Sequence, residues 1–175
     1  MKKDCFKTAR LVVENWRPLL ACPPSREVLM EDLTSILTRN VMQHLPEVLH
    51  VGQERDAIVQ WIAARNAEAE VLTVRDRKRS TLLGLLILAE MPEEDGSRSV
   101  HLGYFLAEDA WGKGYATELV SGLVEYQKSR GSVSSIRGGV GIDNKASARV
   151  LEKAGFTKSD RLSTGDTEIF VREMP

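Results

Sequence analysis

The stretch from Val100 to Val124 constrains this chain more than any other, because it reads as strand, glycine turn and helix in direct succession. Val100-His101-Leu102-Gly103-Tyr104-Phe105-Leu106 alternates as a strand does, with Val100, Leu102, Tyr104 and Leu106 expected on one face. A short linker, Ala107 to Ala110, leads to the turn Trp111-Gly112-Lys113-Gly114. Ala116, Leu119, Val120, Leu123 and Val124 then fall at the i, i+3, i+4, i+7, i+8 spacing of one helical face. A helix entered in this way turns its first N–H groups outward, and its dipole adds partial positive charge there. Glycines at 112 and 114 let an anion approach the backbone with no Cβ in the way. A diphosphate suits such a cradle, and a helix entry that merely uses glycine to turn accounts for it equally well.

Two nucleotide motifs fail on spacing. A P-loop needs Gly-Lys followed by Ser or Thr and another glycine five positions earlier, whereas Lys113 precedes Gly114 and the earlier position is Ala107. The dinucleotide fingerprint fails as well, since its three-glycine spacing is missing and no repeated strand-helix pattern follows.

Elsewhere the pattern is of mixed α/β type, with no repeat. A strand is expected around Arg10 to Trp16, then a break at Pro23-Pro24, then a helix capped by Ser25. Val28, Leu29, Leu33, Ile36 and Leu37 give that helix its period, and it should end close to Asn40. A second helix is expected from Glu54 to Glu68, with Ile58, Trp61 and Ile62 inward. Val71 to Val74 and Leu82 to Ala89 read as strands joined by the basic segment Arg75 to Ser80, taken as a solvated hairpin turn. The acidic run Glu93-Glu94-Asp95-Gly96 is taken as another turn.

At 175 residues the chain suits one domain, 1–175, with a core of its own. A formal charge of -1 and a pI near 6.3 give no electrostatic footprint for nucleic acid or an anionic membrane. The longest apolar run, Leu82 to Ala89, falls far short of the roughly 30 Å of a bilayer core. The basic start Met1 to Cys5 is followed by no apolar h-region, so no secretory signal is expected. Cys5 and Cys22 match neither a disulfide framework nor a metal cluster, so no metal is expected and a reducing, cytoplasmic setting is.

The second half also resembles a known family. Trp111-Gly112-Lys113-Gly114-Tyr115-Ala116-Thr117-Glu118 looks like the pyrophosphate loop of the GNAT acetyltransferase superfamily, whose usual pattern is Gln or Arg, two residues, Gly, one residue, then Gly or Ala. Gly114 and Ala116 match that pattern, and Trp111 replaces the Gln or Arg. This replacement is typical of the branch containing the ribosomal-protein N-terminal acetyltransferases. Asn144-Lys145-Ala146-Ser147, leading through Leu151-Glu152-Lys153 to Gly155-Phe156, is similar to that branch's second signature, Asn-x-x-Ser then Leu-Glu-Lys-x-Gly-Phe. Thr8-Ala9-Arg10-Leu11 resembles its first strand, so the likeness runs from about residue 6 to the end.

The resemblance implies a central, mostly antiparallel V-shaped sheet of about six to seven strands, flanked by about four helices. It implies acetyl-CoA as cosubstrate, held by Phe105, Leu106, Trp111, Gly112, Lys113, Gly114, Tyr115, Ala116, Thr117 and Asn144. The acceptor it implies is a primary amine, either a protein N-terminal α-amine or a small molecule such as an amino acid, polyamine or drug. A catalytically silent acyl-CoA-binding domain is the remaining alternative, and a monomer or homodimer is expected.

Chemistry limits the roles. The attacking amine must lose a proton, since an unperturbed ammonium has a pKa of roughly 8 to 10.4. A base, or water leading to one, is therefore needed. His101 is the candidate by its ordinary pKa near 6.5, with a merely structural histidine as the other reading. Glu108 and Asp109 are weighed as bases acting through water against residues of a solvated loop. Many superfamily members place a tyrosine before the Glu-Lys pair to protonate the departing thiolate, but Leu151 stands there. By resemblance to the branch, Ser147 takes the donor role. A backbone N–H near Phe105 or Leu106 is implied as donor to the oxyanion. For Arg149 a contact to the 3′-phosphate is weighed against a solvated helix face. Asn144 also makes a good N-cap with Ser147 at N3, and Gly155-Phe156 fits a left-handed helix stop. Gly138, Gly139 and Gly141 weaken a strand, which either leaves room for cofactor or acceptor or simply makes it flexible.

Overall fold

The computed structural model describes residues 5–175. Met1 to Asp4, the start of the segment weighed as a secretory signal, lie outside the described residues. Two compact units divide the chain: residues up to Ile87 with Tyr104–Lys113, and Leu88–Gly103 with Gly114–Pro175. Among the described residues the fold is α/β, with eight strands and six α-helices, mostly antiparallel in its pairing.

The first unit opens with the hairpin β1 (Cys5–Lys7) and β2 (Leu11–Asn15), followed by β3 (Glu70–Asp76) and β4 (Leu82–Pro92), in the order β1-β2-β3-β4. The pairs β1–β2 and β2–β3 are antiparallel, with Val13 opposite both Phe6 and Val74. Four helices belong to this unit: α1 (Arg17–Ala21), α2 (Pro23–Ile36), α3 (Arg39–Met42) and α4 (Arg55–Glu68). Its core gathers Trp16, Leu29, Leu33, Leu37, Ile58, Trp61 and Phe105. Trp16 and Trp61 meet edge to face at 6.4 Å between centroids, a geometry aromatic pairs favour.

Three expectations for this unit need correction. Pro23 and Pro24 open α2 instead of breaking the chain before it, and Cys22, not Ser25, is the N-cap. The first helical turn has no intrahelical use for its N–H groups, so proline costs nothing there. The helix also stops at Ile36 rather than near Asn40, because the Thr38 hydroxyl accepts from the Val41 N–H and starts α3. Val28, counted into the inward period, is 54% exposed. By contrast, α4 buries Ile58, Trp61 and Ile62 as its spacing predicts, and the basic turn is a hairpin whose Asp76 carboxylate accepts from the Lys78 and Arg79 N–H groups.

The second unit is built on the remainder of β4 with β5 (Arg98–Leu106), β6 (Ser135–Gly141), β7 (Thr157–Ser159) and β8 (Thr167–Glu173), in the order β4-β5-β6-β8-β7. β5 and β6 run parallel, while β6–β8 and β7–β8 are antiparallel. The parallel step needs a crossover, and α5 (Tyr115–Arg130) supplies it. α5 buries Leu119, Val120, Leu123 and Val124, the face its period predicts. α6 (Lys145–Lys153) packs on β6 and β8. Gly138 lets it do so: a Cβ there would stand 2.9 Å from a Leu151 methyl. The glycine at 138 therefore makes room for a side chain of the protein itself.

Along β5 the alternation holds through Leu102 and then lapses. Phe105 and Leu106 are both buried, and Tyr104 is only half-buried, so the single buried face expected through residue 106 ends early. Gly84 of β4 explains why this end of β5 lies so close: a Cβ on Gly84 would come within 2.0 Å of the Phe105 carbonyl oxygen. The strands and helices among the described residues exceed the six to seven and four that the resemblance implies, through short elements such as β1, α1 and α3.

Candidate active site

In the first unit the chain leaving β5 is held by backbone and side chain alike. The Ala107 N–H donates to the Leu83 carbonyl at 2.7 Å, and the Trp111 indole N–H donates to the Leu106 carbonyl at 2.8 Å. Trp111 is exposed on its other side and meets the His44 ring edge-on at 6.2 Å. Arg10 Nη1 donates to the Lys113 carbonyl at 2.9 Å. Between these points a 3-10 turn, Glu108–Ala110, is anchored through Glu108. Its carboxylate accepts from the Thr38 hydroxyl and, at 3.0 Å, from the Asn40 amide. The Thr38 hydroxyl first, and the Asn40 amide second, hold the Glu108 carboxyl below the usual carboxylate range against a desolvation that pushes it up. Glu108 thus anchors its turn through Thr38 and Asn40 while its side chain stays exposed to solvent.

The glycine turn then runs into α5. Gly112 has φ +68° and Gly114 φ +80°, both in the left-handed region where a Cβ is disfavoured. A Cβ on Gly112 would meet nothing within 4 Å, so the backbone there faces open space. Gly114 is the N-cap of α5 and has no side chain with which to cap it. Trp111 to Gly114 are exposed, and Tyr115, Ala116 and Thr117 are half-buried on the first turn of the helix. These features leave the backbone clear of Cβ atoms at Gly112 and Gly114 and leave the first turn of α5 without a side-chain cap.

In the second unit Asn144 and Ser147 are brought together. The Asn144 side chain accepts from the Ser147 N–H at 3.1 Å, which caps α6. The helix closes as its sequence predicts. Phe156 N–H donates to the Leu151 carbonyl at 3.0 Å and Gly155 N–H to that of Glu152 at 2.9 Å, with Gly155 at φ +83°. Arg149 is exposed on the flank of α6.

His101 projects between the buried Val100 and Leu102, is exposed, and lies opposite Arg137 in the β5–β6 register. Arg137 pairs with Glu93 at 2.9 Å, and Glu93 also accepts from the buried Ser99 hydroxyl at 2.5 Å. Partial desolvation first, and the Arg137 charge second, hold the imidazole below the usual histidine range, with Glu93 opposing them. The Ser99 hydroxyl chiefly, with Arg137 adding to it and burial opposing, holds the Glu93 carboxyl low. Sequence reading missed this group. Glu93 does belong to the expected turn, accepting the Gly96 N–H, but its side chain turns back to β5 and β6. The sequence carries little signal for it, because Ser99 precedes the expected strand and by alternation shares the face of His101, not that of Val100 and Leu102. Phe105, Leu106 and Trp111 to Lys113 belong to the first unit, and His101, Gly114 to Thr117, Asn144 and Ser147 to the second.

The profile of the acetyltransferase (GNAT) domain family matches residues 23–157. The chain belongs to that family. It is 39% identical over 104 residues to the uncharacterized N-acetyltransferase YoaA of Bacillus subtilis (strain 168), covering 58% of this chain and 58% of that protein. The chain spans 58% and 62% of the length of the curated relatives it matches. Among solved structures it is similar to the spermidine N-acetyltransferase from Vibrio cholerae in complex with CoA and spermine, with a TM-score of 0.71 and 18% identity over 95% of this chain and 97% of that one. It is also similar to the acetyl transferase from Salmonella typhimurium that modifies the N-terminal serine of 50S ribosomal subunit protein L7/L12. There the TM-score is 0.68 and the identity 18%, over 96% of this chain and 97% of that one. At such identities the likeness concerns the fold. Among the described residues no helix is long and apolar enough to cross a membrane.

Proposed function

We propose that this chain transfers an acetyl group from acetyl-CoA to a primary amine by direct attack in a ternary complex. The observation that carries this reading is the entry to α5: two left-handed glycines followed by a 16-residue helix whose N-cap has no side chain, inside the span that matches the family. That span runs through both compact units, which supports reading residues 1–175 as one catalytic domain.

Acetyl-CoA supplies the thioester carbonyl carbon. The amine nitrogen bonds to that carbon, the C–S bond breaks, and the ammonium proton must leave while the thiolate gains one. In this reading the backbone of Gly112 to Thr117 binds the diphosphate, and the family resemblance adds Trp111 and Asn144 as cofactor contacts and an N–H at Phe105 or Leu106 as donor to the carbonyl oxygen. His101 takes the proton from the amine. Its lowered pKa suits that role, because the imidazole stays neutral further into the acid range. Ser147 donates a hydrogen bond to the departing thiolate, a role its half-buried position at N3 of α6 allows.

The acceptor favoured by the two sequence signatures is a protein N-terminal α-amine. The spermidine N-acetyltransferase from Vibrio cholerae, of similar fold, favours a small-molecule amine as the second reading. Free-thiol release from acetyl-CoA, followed across peptides, polyamines, amino acids and aminoglycosides, decides between them. Turnover on peptides alone supports the first reading and turnover on polyamines the second. CoA binding without turnover on the whole panel indicates a silent binding domain, and no CoA binding at all removes every one of these readings.

A further inference from the structure

Thr8-Ala9-Arg10-Leu11 has no part in the chemistry proposed above, yet the structure gives it a rigid form and a target. Two bonds close this turn at 3.0 Å each: the Thr8 N–H donates to the Leu11 carbonyl, and the Leu11 N–H donates to Thr8 Oγ1. Arg77, from the hairpin after β3, braces it twice. Its backbone N–H donates to the Arg10 carbonyl at 2.8 Å, and its Nη1 donates to the Thr8 carbonyl at 3.2 Å. From this braced base the Arg10 guanidinium reaches 103 positions along the chain to the Lys113 carbonyl.

That carbonyl belongs to the peptide joining Lys113 to Gly114. No peptide bond described here is cis, and in a trans peptide the C=O and the following N–H point in opposite directions. The guanidinium that holds the Lys113 oxygen therefore aims the Gly114 N–H away from Arg10. Glycine alone sets no strong preference for this orientation, since it tolerates many backbone conformations. A cation at the carbonyl end also polarises the peptide and strengthens its N–H as a donor.

We infer that Arg10 is a positioning residue for the glycine turn: it fixes the plane of the Lys113–Gly114 peptide so that the Gly114 N–H is presented to the diphosphate of CoA. This rests on the turn being the diphosphate site. Titration calorimetry on the full chain with CoA tests it, using wild type, Arg10→Met and Gly114→Val, with pantetheine, which lacks the diphosphate, titrated by NMR. Thermal unfolding serves as the folding control. Arg10→Met keeps most of the aliphatic stem and should weaken CoA binding about tenfold, the effect of one charge-assisted hydrogen bond, while pantetheine binding stays within about twofold. Unchanged CoA affinity in folded Arg10→Met overturns the inference. An equal loss for CoA and pantetheine overturns it too, because a general distortion then explains both. Should Arg10→Met not fold, Arg10→Gln, whose shorter side chain does not span the same gap, is read by the same criteria. A wild-type chain that binds no CoA, or a folded Gly114→Val that binds it normally, removes the diphosphate reading itself, an outcome distinct from a silent Arg10 substitution.

Discussion

α5 and α6 begin in opposite ways. Every helix leaves its first N–H groups without an intrahelical partner. α6 meets this with Asn144, whose side chain accepts from the Ser147 N–H. α5 starts from Gly114, which has no side chain to offer, and approaches it through a second left-handed glycine at 112. One entry is closed by a side-chain cap of its own sequence, and the other has no side-chain cap at all. The contrast teaches that a glycine N-cap is a choice, because elsewhere this same chain uses the better capping residue.

The contrast breaks most visibly at Gly114. Gly114→Val puts a β-branched residue at φ +80° and a branched Cβ on the proposed diphosphate path, so CoA affinity should fall more than about 100-fold. Calorimetry on a variant shown by circular dichroism to be folded is the check; retained affinity contradicts the proposed site. Ser147→Ala removes a hydroxyl but keeps the N–H that Asn144 holds. It should lower kcat by about ten- to a hundredfold with CoA affinity nearly unchanged. Steady-state rates at saturating acetyl-CoA decide this, and an unaltered kcat takes Ser147 out of the mechanism. Asn144→Ala strips the cap of α6 and should cost about 1 kcal/mol of stability, read from denaturant midpoints. A loss of zero there would mean that Asn144 does not close its helix.

The smallest effect concerns pH. A backbone-built entry has nothing to titrate, whereas His101 does. Because its folded pKa is lowered, protonation that abolishes the proposed base should set in below about pH 6.5, giving kcat/KM an acid limb on that side. Arg137→Gln removes the positive charge and leaves the Glu93 charge to favour the imidazolium, so the limb should move upward. A limb that does not move leaves His101 outside the proton transfer.

Much of this was legible where one side of an element is buried over several turns. α4 and α5 show their periods in sequence, β3 and β4 show as short apolar runs, β5 alternates as far as Leu102, and Asn144 and Gly155 announce the ends of α6 by chemistry that is local. What escaped depends on partners distant in sequence. Glu93 looks like one more acid of a solvated turn until β6 brings Arg137 beside it. Glu108 looks like a loop acid until Thr38 and Asn40 arrive from 70 and 68 positions away. The double proline that opens α2 misled for another reason, since proline ends a helix from within but opens one at its first turn.

Gly84 carries a consequence for any attempt to redesign this protein. It touches no proposed substrate, and it stands in an apolar strand where valine or alanine looks harmless, yet its missing Cβ is where the Phe105 carbonyl lies. In a library that samples every position, Gly84 should therefore be depleted as strongly as the glycines of the cradle, whereas Val28 and Val48, both more than half exposed, should accept almost anything. A selection for altered acceptors is better spent away from that strand, because a variant lost there reports on the backbone at Phe105 and Leu106 and not on acceptor choice.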